Sequence, residues 1–373
     1  MRIAAILILA SACSWAGSEG VQVERDGSYW KITVSGNLPA QPVRRITAGG
    51  DLVVRGRTAK QIYYVVSSRV SGGSEADARR SAEQFHALNM AGQLFFPQGA
   101  SVRVEVPRRT GYLSLFSPGG SIDVSDLDGS IRVDSAAGKI TIDHIRGDAE
   151  IHSSGGGTTI GSVGGVVRCY SGGGSIRAVR ILGGATFQTD GGDIQLGDVQ
   201  GTVHAVTAAG GIRIDHAGGP VYADTYGGPI SVLEALGLVV AKSAGGPIKI
   251  VGAPAVRCQS ASGTIRLNNV SGRLEAATER GSIIAEILSG RPLANSFLST
   301  RAGDITVFIP SDMGVTIHAE SSGAHNANAI VSDYDSLRIT STAAAAIAQG
   351  NINGGGPMLR LMDAGGRIEI RKK

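Results

Sequence analysis

From Gly120 onward the apolar positions of the chain repeat. Ile122, Ile140, Ile176, Ile194, Ile212, Ile230 and Ile248 stand 18 residues apart, with one double step whose vacant place is held by Thr158. Two residues on, Val124, Ile142, Ile160, Ala178, Leu196, Ile214, Val232 and Ile250 keep the same interval. An apolar-x-apolar triplet of this kind reads as a short strand whose middle side chain faces out. Nine residues later a second strand is marked by Ile131, Ala149, Val167, Ala185, Val203, Val221 and Val239. Its inner partners are Val133, Ile151, Cys169, Phe187, Ala205, Ala223 and Ala241. A third apolar row lies between the two strands: Leu127, Ile145, Val163, Ile181, Val199, Ala217 and Ala235. After the second strand come a hydroxyl row (Ser117, Ser135, Ser153, Ser171, Thr189, Thr207, Thr225, Ser243) and, in most coils, a glycine such as Gly120 or Gly192.

One such unit cannot bury its own apolar residues, but a stack of them encloses a continuous thin core. The pattern therefore predicts an all-β fold, a parallel β-solenoid of 18-residue coils with two short strands each. Successive coils are spaced by ~4.8 Å. The register survives two edits: Ile248 to Ile265 is 17 residues, shortened near Ala253-Pro254, and Ile283 to Ile305 is 22, lengthened by Arg291-Pro292-Leu293-Ala294. The pattern closes with Leu359-Arg360-Leu361 and Ile368-Glu369-Ile370. The solenoid is assigned to 111–373, with irregular coils over 318–357 that include the alanine run 343–346. Residues 17–110 read differently. Strand-like segments occur at 30–34, 52–54, 62–66 and 102–106. One helix is predicted over 74–90, with Ser74 as N-cap, Glu75 and Asp77 in its first turn, and Ala78, Ala82, Phe85 and Leu88 on one face. This segment is expected to cap the open N-terminal end of the stack.

Composition agrees with a thin core. Glycine is present 55 times among 373 residues, about twice ordinary usage, while aromatics make up 5% and charged residues 18%. Positive-φ turns would account for the glycine. The net charge of +4 is spread out, with no Lys/Arg run, which excludes a nucleic-acid footprint. Residues 1–16 read as a secretory leader: Arg2, then an apolar run from Ile3 to Ala12 too short to span a bilayer, then small residues. Two processing schemes stay open. Cleavage near Ala16 frees the chain, whereas cleavage before Cys13 makes a lipid anchor there, the one expected membrane attachment. Either way the chain is expected to be exported, to the periplasm, outer membrane or cell surface.

Three segments carry a family resemblance: SPGGSIDVSDLDGSIRV at 117–133, RAGDITVFIPSDM at 301–313 and INGGGPMLRLMDAGGRIEI at 352–370. With the repeats they resemble the bacterial "putative adhesin" family of unknown function, over about 45–373. The resemblance implies a Gly-rich β-solenoid of the autotransporter-adhesin-head type. It assigns no residue a role.

Stacking makes residues 18 apart neighbours, so rows can be searched for chemistry. The outward row Asp126, His144, Ser162, Arg180, Asp198, His216, Glu234 places Asp198, His216 and Glu234 on consecutive coils, as a metal or acid–base set would need. An ordinary row of alternating surface charges that stabilises stacking is the favoured reading, and no metal is assigned to the row. The outward position of the first strand reads Asp123, Thr141, Thr159, Arg177, Gln195, Arg213, Ser231, Lys249, Arg266. Arg177, Arg213, Lys249 and Arg266 form a basic stripe suited to an anionic polysaccharide, lipopolysaccharide or an envelope protein. A solvated face that discourages lateral aggregation is the competing reading. The hydroxyl row is expected to bond to turn backbone rather than to catalyse, since no serine has His and Asp in register. Cys169 and Cys258 occupy one core position five coils apart, ~24 Å, beyond the ~7 Å reach of a disulfide, and should be buried free thiols. Calcium-binding nonapeptides are excluded, because Ile or Val stands where glycine is needed and an apolar residue where aspartate is needed. No cofactor, metal or catalytic residue is assigned. The sequence favours a non-enzymatic binding or display scaffold. The alternatives are a carbohydrate-active enzyme on a β-helix and a purely structural envelope protein. Oligomeric state stays open.

Overall fold

The computed structural model describes residues 20–39, 42–71, 73–322, 329–342 and 344–373. The expected leader over 1–16, with Cys13, lies outside the described residues. Eleven coils follow one another without interruption from Tyr112 to Ile309. Each contributes one strand to each of two long parallel sheets. The first sheet stacks Ile122 on Ile140, Ile140 on Thr158, Thr158 on Ile176, and so on to Ile283 on Ile305. The second sheet stacks Ile131 on Ala149 and Ala149 on Val167 in the same way. Both edits leave this register intact, because Ile248 pairs with Ile265 across the short coil and Ile283 with Ile305 across the long one. The four-residue insertion tucks Leu293 into the core, where it is buried and bridges to Gly272.

The core is a single, mostly aliphatic cluster running the length of the stack, with Phe187 among its few aromatics. The third apolar row proves to be the end of each first-sheet strand: Leu127 pairs with Ile145 beyond a kink at Asp126, whose φ is 63°. Cys169 and Cys258 are buried and unbridged. Burial pushes the Cys169 thiol up to about 12, and it also raises that of Cys258. Neither is a thiolate at neutral pH, so both act as small core side chains.

From Thr189 to Ser243 the hydroxyl row rivets one turn to the next, whereas Ser135 and Ser153 donate within their own turns. Thr207 Oγ1 donates to Gly192 O (3.0 Å) and accepts from Gly210 N (3.2 Å); Thr225 donates to Gly210 O (2.9 Å) and accepts from Gly228 N (3.2 Å). These hydroxyls are buried and satisfied, as turn-bonding side chains should be. The glycines that accompany them have a different reason from the one expected. From Gly120 to Gly263 not one glycine in this row has a positive φ. Their turns instead pack backbone on backbone. A Cβ at Gly210 would lie 2.0 Å from Gly192 O, and one at Gly228 would lie 2.0 Å from Gly210 O. Lack of a side chain, not conformational freedom, is what selects glycine there.

Asp363 breaks the row. It takes the hydroxyl position in the last coil, is buried, and accepts from Gly365 N (3.0 Å) and Gly366 N (2.7 Å). An ionised carboxylate cannot donate to a preceding turn as Ser and Thr do. Burial raises its pKa; the two N–H bonds oppose this, and nearby Asp304 adds to the rise. A carboxyl whose pKa is raised on folding contributes stability at low pH that is lost as pH rises through the folded-state value. Asp363→Ser should therefore gain stability over the parent near neutral pH, and the gain should shrink toward about pH 4. Denaturant melts of both proteins at the two pH values check this. An equal difference at both would refute it.

Both ends are threaded out of sequence order. Arg45–Thr47 and Leu52–Arg57 form a coil that stacks directly under Tyr112–Ser117 and Ile122–Leu127. The chain between them passes outside, where Gln93–Phe95 and Ser101–Pro107 stack on the other side of that coil. The first sheet then ends in antiparallel strands, Gln61–Ser71, Tyr29–Pro39 and Gly20–Asp26. The far end repeats the device. The strands Met358–Asp363 and Ile368–Lys372 lie not outermost but between the coil 296–309 and the earlier segments Val315–Ser322 and Ile330–Ser332. Within 318–357 the irregular stretch includes two further antiparallel strands, Ala345–Ile352 and Arg338–Ser341, the second fully exposed.

The helix is shorter than 74–90. It spans Glu75–Ala82, capped by Ser74 Oγ accepting from Asp77 N (3.2 Å), and tightens into a 3-10 turn at Glu83–Phe85. Ala78, Ala82 and Phe85 are buried, but Leu88 is exposed in the strand Leu88–Met90, which pairs antiparallel with Gln93–Phe95. The overriding signal is the two-residue turn Ala91-Gly92, with φ of 52° and 82°, which makes a hairpin there.

Candidate functional site

The outward side chains of the first sheet stand in the order the repeat predicts. Arg177, Arg213, Lys249 and Arg266 are all exposed, and Lys249 is the direct neighbour of Arg266. Their charges are not equally available. Arg213 pairs with Asp215, two residues along its own strand, at 2.9 Å, and Arg177 donates to Gln195 at 3.4 Å. Lys249 and Arg266 have no ion-pair or hydrogen-bond partner among the described residues. The stripe is thus two arginines with local partners and one free cation pair ~4.8 Å apart.

The row Asp198, His216, Glu234 is in register on consecutive strands. It divides into two pairs rather than converging. Asp198 lies 3.7 Å from Arg180, and His216 Nδ1 lies 3.2 Å from Glu234 Oε2. Among the described residues no group of three His, Cys, Asp or Glu side chains is arranged to hold a metal ion. Exposed pairs of this kind contribute at most about 1 kcal/mol each. Elsewhere the faces carry similar pairs between adjacent coils, such as Arg132 with Glu150 at 3.1 Å and Arg257 with Glu275 at 2.6 Å.

A trough on the outer side of the second sheet was not singled out by any sequence motif. Its spine is the outward row Asp224, Lys242, Gln259, Ala277, Ser299, Met362, Glu320, each residue registered on the next. Seven strands give it a length of roughly 29 Å. The cavity has a volume of about 740 Å³. It exists because small side chains, Ala244, Ala261, Ala277, Ser299 and Ala364, form a low floor between taller neighbours that include Tyr226, Phe297 and Arg301. Tyr226 is 76% exposed and Phe297 38%. The sequence signal, in retrospect, was a run of alanines at outward positions, which hydrophobicity alone reads as core. The threading hides the rest: Met362 belongs to the trough only because the last coil lies inside the stack.

Among the described residues no helix is long and apolar enough to cross a membrane. No curated protein matches the chain. Among solved structures, a "putative cell adhesion protein" from Clostridium sporogenes is 9% identical, over 91% of this chain and 99% of that one, with a TM-score of 0.17. The Toastrack family, DUF4097, matches residues 18–347, which take in the N-terminal strands, the helix and all eleven uninterrupted coils, and the chain belongs to that family.

Proposed function

We propose that this protein is a non-enzymatic, adhesin-like scaffold, exported to the cell envelope, that holds an anionic glycan against the outer face of its first sheet. The observation that carries this reading is the free cation pair Lys249 and Arg266, in line with Arg213 and Arg177 on one flat face. Cations spaced along parallel strands can follow the repeating charge of a polyanion, and with no carboxylate partner among the described residues Lys249 and Arg266 keep their charges available to a ligand. A scaffold is favoured over an enzyme because the polar groups of the neighbouring row, Arg180 with Asp198 and His216 with Glu234, divide into separate pairs rather than converging on one centre. The connections between strands over 122–287 are short and raise no wall around a reaction centre.

Binding should be measured with lipopolysaccharide and polygalacturonate at low ionic strength. Lys249→Glu combined with Arg266→Glu is expected to weaken binding at least tenfold. Arg213→Glu should have a smaller effect, because Asp215 already offsets that charge. Added salt should weaken binding of the parent, since exposed charges are screened. Binding unaltered by the double substitution would discard the stripe as the ligand face.

A further inference from the structure

We propose that the trough on the second sheet is a separate binding site for a linear, uncharged polysaccharide. Four features point to this ligand. The first is shape. A cleft roughly 29 Å long that lies along the stack and is open to solvent fits a polymer chain, not a compact metabolite. The second is the floor. Ala244, Ala261, Ala277 and Ala364 present a low apolar surface along the cleft, on which an extended chain can lie close to the sheet. The third is the pair of exposed aromatic rings at its margins, Tyr226 and Phe297. Their faces suit the C–H faces of pyranose rings, and the Tyr226 hydroxyl adds a polar handle. The fourth is unused hydrogen-bonding capacity. Asp224, Lys242, Gln259, Glu279, Ser299, Arg301 and Glu320 line the cleft, and their side chains have no hydrogen-bond or ion-pair partner among the described residues. Even Asp224 and Lys242, direct neighbours in register, do not bridge.

The mix of groups selects the ligand's charge. Three carboxylates, Asp224, Glu279 and Glu320, are interspersed with two cations, Lys242 and Arg301, while the fourth carboxylate of the lining, Asp363, is buried and accepts from Gly365 N and Gly366 N. A polyanion would meet the carboxylates and a polycation the Lys and Arg, so neither sign is favoured along the cleft. A sugar hydroxyl is both donor and acceptor and can satisfy both kinds of group. The combination of apolar surface with a few converging polar groups is that of an orienting ligand site. The first sheet, by contrast, offers a flat face with an unpaired cation pair and no exposed aromatic in its basic stripe. The two faces are thus chemically distinct, and the trough does not depend on the anionic-glycan reading above.

The test is affinity electrophoresis and titration calorimetry of the full folded chain against neutral polysaccharides (laminarin, dextran, galactomannan and xylan). Polygalacturonate and an extended unstructured peptide serve as comparators. At least one neutral polymer is expected to bind. Tyr226→Ala and Phe297→Ala should each weaken that binding about tenfold, and Ala277→Arg, which raises the floor, should abolish it. Tyr226 is exposed enough that its removal leaves the core untouched, so a loss in that variant is not a folding defect; unchanged melting temperatures for all three variants serve as the control. Lys249→Glu with Arg266→Glu should leave neutral-polymer binding unchanged, which separates this site from the stripe. The proposal is overturned if no neutral polymer binds, if binding survives Ala277→Arg, or if the trough variants lose only peptide or polyanion binding.

Discussion

Gly228→Ala is expected to destabilise the protein by about 3 kcal/mol or more, while Gly227→Ala, one residue earlier, should change stability by less than about 0.5 kcal/mol. The two substitutions add the same methyl group to the same turn. At Gly228 the new carbon would lie 2.0 Å from Gly210 O, whereas at Gly227 the nearest atom is 3.7 Å away. The clash at Gly228 is with backbone, and that backbone is held. Gly210 O accepts the Thr225 hydroxyl at 2.9 Å, and Gly210 N donates to Thr207 at 3.2 Å. Moving Gly210 aside therefore strains two rivets and passes the displacement to the next turn, where Gly192 meets the same constraint. Neither glycine has a positive φ, so backbone strain contributes to neither result. Urea denaturation of the two variants beside the parent decides it. Equal stabilities for both would show that the turns can part without cost.

Removing residues 358–373 should abolish folding, although the same loss from the end of an ordinary solenoid would remove only one terminal repeat. The segment is an interior coil. Met358–Asp363 has Ser296–Ala302 on one side and Val315–Ser322 on the other, and Ile368–Lys372 lies between Ile305–Ile309 and Ile330–Ser332. Leu359, Leu361, Ile368 and Ile370 are each 0% exposed. At about 1.5–3 kcal/mol for each buried side chain, their loss removes roughly 6–12 kcal/mol. That is comparable with the about 5–15 kcal/mol that holds a whole domain together. The deletion also leaves a gap one coil wide, with unpaired strand edges facing each other. The truncated chain should be recovered as aggregate, or as a species without a cooperative melt. Leu361→Ala, which keeps the coil, should fold and cost about 2–5 kcal/mol. A soluble truncation that melts cooperatively near the parent's temperature would overturn the assignment of an interior coil.

The stack was legible in the sequence because its physics is local to the row. An inward position needs an aliphatic side chain, a corner needs a hydroxyl, and eleven coils of repetition separate that signal from noise. The same regularity placed the two thiols five coils apart and carried the register through the short and long coils. The ends were not legible. Leu361 and Ile370 satisfy the row pattern wherever in the stack their coil lies, so periodicity gives membership but not order. The helix was overextended at Leu88, since a spacing of three past Phe85 continues a helical face, while the turn at Ala91-Gly92 that ends it is a two-residue signal. The stripe was found because its members are charged. The local pairing of Arg213 is not legible in the stripe itself, because its partner Asp215 belongs to another row. The trough went unseen because it is defined by what its floor lacks.

The interleaved ends also make the molecule mechanically unequal. Among the described residues Gly20–Asp26 is an edge strand, paired along one side to Tyr29–Pro39, so tension applied there can open its ladder one hydrogen bond after another. Tension applied through Lys373 and directed along its strand meets partners on both sides at once. It must shear two ladders together before any outer coil is released. The strand Ile368–Lys372 is thereby gripped from both flanks, and a pulled molecule should yield at Gly20–Asp26 first.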